Sequence, residues 1–147
     1  MDIAQALAVI DELCARAFPA RRTAAGAVGS GPGYWTAEWG VGRDLRQADA
    51  ADREQARTQY EADRDALGER LTARWGPPQR FGLYSLFERA VRGEALAEPW
   101  GLLGGHVPDV QLWRSDRAGR WIALGVTHED GGLPQALVAV VTDVDPP

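Results

Sequence analysis

The chain has 147 residues, 45% hydrophobic and 25% charged, with a formal net charge of −5. That length fits one domain able to bury roughly two thirds of its unfolded surface. The acidic balance without a basic stripe argues against duplex nucleic acid as a partner, and no apolar run approaches the roughly eighteen residues of a membrane span.

All sixteen basic residues are arginine, so Schiff-base and P-loop lysine chemistry are excluded. The start, Met1 to Gln5, lacks a basic segment ahead of an apolar core, which makes a cleavable leader unexpected and the cytosol the default compartment. From Glu98 onward seven acidic residues face three arginines, a local acidity that serves solubility or steers a basic partner.

Asp2 to Ala17 reads as an amphipathic helix. Asp2 is the N-cap, and Ile3, Ala6, Leu7, Ile10, Leu13, Cys14 and Ala17 recur on one face. The single cysteine, Cys14, is thus read as core, where a free thiol behaves as a small hydrophobe. A loop follows, ending in the glycine-rich Gly29 to Gly33. Phosphate-binding glycine loops follow a strand and open a helix, whereas this one precedes a strand and is read as a flexible lead-in turn.

Tyr34 to Gly42 alternates as a half-buried strand, with Trp35, Ala37, Trp39 and Val41 on one face and Tyr34, Thr36 and Glu38 on the other. Asp44 to Trp75 is helical by composition, with a thin apolar stripe. Such a helix is about 45 Å long, more than a small domain covers, so it is expected to break near Ala50 or Gly68 or to project its early turns into solvent. Gly76, Pro77 and Pro78 stop it.

From Gln79 a short extended segment is predicted. A helix then starts at about Leu83, with Leu83, Leu86, Phe87, Ala90 and Val91 as its apolar face and Gly93 just past its end. Pro99 to Gly105 is predicted to make one tight turn. Three strands close the chain: Asp109 to Arg114, Arg120 to His128 and Gln135 to Thr142. Turns at Ser115 to Gly119 and Glu129 to Gly132 join them into a meander. The last strand is apolar on both faces, which requires cover on both sides of the sheet. The expected fold is α+β: one globular domain, 1–147, with an antiparallel sheet of about four strands packed by the N-terminal and middle helices.

The chemistry-bearing residues are sparse. His106 and His128 are the only histidines, so a histidine-rich metal site is excluded, and neither has a nucleophile at a telling spacing. His128, Glu129 and Asp130 are consecutive at a strand end, where side chains diverge, and the turn chemistry of Glu, Asp and Gly accounts for them. No catalytic constellation, metal site or cofactor is implied.

The six tryptophans are the most open feature. With the Ile122 face as core, Trp113 and Trp121 are expected on the opposite face, covered by a helix or by a partner. The chain thus reads as a non-enzymatic protein-binding module of the immunity, adaptor or chaperone-like kind, with Trp113, Trp121, Glu129 and Asp130 as candidate contacts. A homo-oligomeric structural protein is one alternative. The other is a small enzyme using His106 or His128 with a carboxylate.

Overall fold

Helix α1 (Ile3–Ala15) begins where the Asp2 carboxylate accepts a hydrogen bond from the Gln5 backbone N–H at 3.1 Å, and it buries Ala6, Leu7, Ile10 and Leu13. The computed structural model describes residues 1–24, 28–40, 49–127 and 135–147. Arg120, from the far end of the chain, finishes α1: its Nη1 donates to the Leu13 and Arg16 carbonyls, both at 2.6 Å. Its guanidinium also lies over the Phe18 ring at 3.9 Å. A cation at a helix C-terminus satisfies orphan carbonyls and opposes the dipole.

After α1 come β1 (Tyr34–Trp39), α2 (Ala50–Trp75), β2 (Gln79–Gly82), α3 (Tyr84–Val91), α4 (Trp100–His106), β3 (Asp109–Ser115), β4 (Arg120–Val126) and β5 (Leu137–Thr142). The long helix starts at Ala50, capped by Asp49, and runs unbroken through Gly68. Leu45 and Ala48 of its predicted stripe lie outside the described residues. Gly76, with φ +84°, ends it in a conformation that glycine adopts without steric cost.

The sheet has five strands in the order β1-β5-β4-β3-β2, every pair antiparallel. The fifth is the predicted extended segment at Gln79, which pairs with β3 and forms an edge. A second departure is α4. Glycine-rich Trp100 to Gly105 was expected to turn tightly, yet it completes a short helix. There Glu98 accepts from the Leu102 N–H at 3.0 Å, and Trp100 and Leu103 are buried. Tertiary burial overrides the weak helix propensity of glycine.

The sheet is covered on both faces. On one, α1 and α2 pack Leu7, Ile10, Leu13, Leu67 and Leu71 against Trp113, Ile122, Leu124, Leu137, Ala139 and Val141. On the other, Leu83, Leu86, Trp100 and Leu103 of the α3–α4 region pack against Val110, Leu112, Ala123, Val138 and Val140. Trp35, Ala37 and Trp39 join the first layer and Tyr34 the second, as their alternation predicts. No described helix is long and apolar enough to cross a membrane.

Cys14 is half-buried beside this first layer. Burial, and then the nearby Asp11 carboxylate, push its thiol above the ordinary value. A smaller thiolate fraction slows attack on electrophiles. At about pH 8 iodoacetamide is expected to alkylate the native protein several-fold more slowly than the urea-unfolded chain. Equal rates would show a thiol free of its surroundings.

Candidate functional surface

Trp113 and Trp121 lie on opposite faces of the sheet, contrary to the expectation that they share one. The β3–β4 hairpin pairs Ser115 with Arg120 across a four-residue loop, so Trp113 stands opposite Ile122 and Trp121 opposite Arg114. A five-residue turn from Ser115 would have paired Arg114 with Arg120 and put both indoles on one face. A one-residue change of register reverses every side chain of the strand.

Trp113 is therefore core. It is 2% exposed beneath α2, and its Nε1 donates to Thr72 Oγ1 at 3.3 Å. α2 approaches β3 closely at Gly68, where a Cβ would lie 2.9 Å from Gln111 Oε1 and in ordinary contact, 3.6 Å, with the Trp113 ring. Trp121 is partly exposed, but its contacts are internal. Its Nε1 donates to Asp145 Oδ1 at 2.9 Å, and Arg114 stacks on the ring at 4.9 Å. With Trp100 Nε1 donating to the Val144 carbonyl at 3.0 Å, the two indoles hold Val144 and Asp145, the residues just beyond β5. His128, Glu129 and Asp130 fall outside the described residues.

His106 ends α4, with Nδ1 2.9 Å from the Leu102 carbonyl of its own helix. Among the described residues no three His, Cys, Asp or Glu side chains converge as metal ligands. A cavity of about 260 Å³ opens between the start of α1, the end of β1 and the middle of α2, lined by Asp2, Gln5, Trp39, Tyr60 and Asp63 among others. It is smaller than most small-molecule sites. Three of its polar groups have structural partners: Tyr60 Oη donates to the Gly40 carbonyl, Asp2 caps α1, and Asp63 accepts from Gln59.

The surface that stands out is the outer side of α3. Leu83 and Leu86 anchor this segment inward, and the Leu83 N–H donates to the Pro108 carbonyl at 2.9 Å. Phe87 and Val91, expected on the same inner face, instead point outward with Tyr84. Tyr84 is 69% exposed, Phe87 45% and Val91 71%. Their spacing of three and four residues puts them on one helical stripe.

Of the charged residues of this segment, Glu88 lies beside the stripe and Arg89 on the far side of the helix from it. Arg89 is paired with Glu94 through two hydrogen bonds, Nη2–Oε1 at 2.6 Å and Nε–Oε2 at 3.0 Å. The contact holds the Glu94 carboxyl below its ordinary range and the Arg89 guanidinium above its own. One turn along, Arg92 and Glu88 approach at 3.9 Å.

This stripe went unassigned in the sequence, although a signal was present. Leu83, Tyr84, Leu86, Phe87, Ala90 and Val91 span an arc of roughly 160° of the helix, wider than the roughly 100° stripe that one packed face needs. No protein-family model, curated protein or solved structure matches the chain.

Proposed function

We propose that this protein is a protein-binding module whose contact surface is the outer stripe of α3. The observation that carries the reading is the exposure of Tyr84, Phe87 and Val91 together on a helix whose inward face is already filled by Leu83 and Leu86. Single exposed apolar residues are ordinary, whereas a contiguous set on one helix face is the form in which helices present themselves to grooves and to other helices. Aromatic residues in such a set are the common anchors of interfaces. Both faces of the sheet are occupied by the chain's own helices, and among the described residues the outer stripe of α3 is where large exposed apolar side chains cluster.

The stripe contributes little to folding, so the double substitution Tyr84→Ser with Val91→Ser is expected to change Tm by no more than about 2–3 °C. A photo-crosslinking residue at position 87 is expected to form protein adducts in host lysate, whereas one at exposed Glu54 of α2 forms none. Equal labelling at the two positions, or a fall in Tm of about 10 °C in the double variant, would move the stripe from binding to structure.

A further inference from the structure

We infer that the occupant of the α3 stripe is α3 of a second copy of this chain, packed antiparallel about a two-fold axis near Ala90. The inference rests on the reading of α3 as the contact surface. It is carried by charge. The segment 79–98 holds three arginines (Arg80, Arg89, Arg92) and three glutamates (Glu88, Glu94, Glu98), so the whole net charge of −5 lies outside it. Two acidic chains meeting here bring together segments that carry no net charge of their own.

The order of charges along the helix is also self-complementary. Glu88 and Arg92 are one turn apart beside the stripe, with side chains 44% and 75% exposed. In an antiparallel pair with the axis between them, Glu88 of each copy lies opposite Arg92 of the other, and the loose 3.9 Å contact within each helix is exchanged for one to the partner helix. An isologous interface requires this relation, in which residue i meets j and j meets i. Val91 then packs near its own mate, and Phe87 and Tyr84 extend over the end of the partner helix, where Gly93 carries no side chain.

Three exposed side chains on an eight-residue helix bury much less than the roughly 800 Å² per partner of a stable complex. The association is therefore weak, with half-conversion to dimer between about 10 µM and about 1 mM.

Sedimentation velocity across that range tests it. Wild type is expected to rise from the 15.9 kDa monomer toward twice that mass. Glu88→Arg alone and Arg92→Glu alone are expected to stay monomeric, because each homodimer sets like charges opposite one another. An equimolar mixture of these two variants restores the dimer, since position 88 of one then meets the opposite charge at position 92 of the other in both places. The Tyr84→Ser, Val91→Ser variant stays monomeric and provides a second route should a charge variant fold poorly.

A wild-type dimer that survives all of these changes would place self-association elsewhere and overturn the inference. A wild-type monomer at about 1 mM that is nonetheless crosslinked at position 87 to a different protein would also overturn it, yet leave α3 as the contact surface. A monomer without adducts would sink both.

Discussion

Trp100→Ala is expected to lower stability by about 3–5 kcal/mol, the cost of emptying a large aromatic site in a core. Trp100 is fully buried, at the first turn of α4. Its ring meets Phe81 edge-on at 6.2 Å between centroids, which ties the α4 layer to edge strand β2. Its indole N–H also donates to the Val144 carbonyl, so truncation frees the C-terminal segment as well as leaving a cavity. For a chain of this size the loss corresponds to a fall in Tm of roughly 6–20 °C. Trp100→Phe, which retains much of the ring but not the donor, is expected to cost about 1–3 kcal/mol, a hydrogen bond with part of the packing. Urea denaturation gives both values. A loss under about 1 kcal/mol for the alanine variant would mean that the α4 layer contributes little to the core.

The second large effect separates two tryptophans that look alike in the sequence. Trp113→Ala removes a ring wedged between α2 and the sheet, against Leu67, Leu71 and Ile122, and leaves Thr72 without the indole donor. The expected cost is again about 3–5 kcal/mol. Trp121→Ala removes a partly exposed ring, its arginine stack and one hydrogen bond to an exposed carboxylate. That is worth about 1–2 kcal/mol. Equilibrium unfolding of both variants, side by side, decides the matter. Equal costs would contradict the placement of these residues on opposite faces.

Much of the architecture was legible in the chain itself. The three-and-four spacing from Ile3 to Leu13 and the capping Asp2 specify α1, and the observed helix follows them within two residues. Alternation at Tyr34 to Trp39 sorted that strand's side chains correctly between the two layers. The unbroken apolar character of Leu137 to Val141 demanded cover on both faces, and both faces are covered. These features are local: the period of apolar residues reports which side of an element is buried, and capping and turn residues report where it ends.

The candidate surface was not legible in the same way, for three physical reasons. The face of Trp113 depends on whether the hairpin loop has four residues or five, and the loop's composition suits either, so the strand pairing decides. The helical state of Trp100 to His106 comes from burying Trp100 and Leu103 against the sheet, a gain absent from the local sequence of three glycines. α3 carries one apolar arc of roughly 160°, and only the position of α4 and β3 selects Leu83 and Leu86 for the core, leaving Tyr84, Phe87 and Val91 outside. The sequence by itself determined the class of fold, the order of most elements and the need for two covered faces, because these follow from short-range periodicity. Tertiary structure alone decided which apolar residues remain uncovered, because that depends on how much surface the neighbouring elements have left to bury.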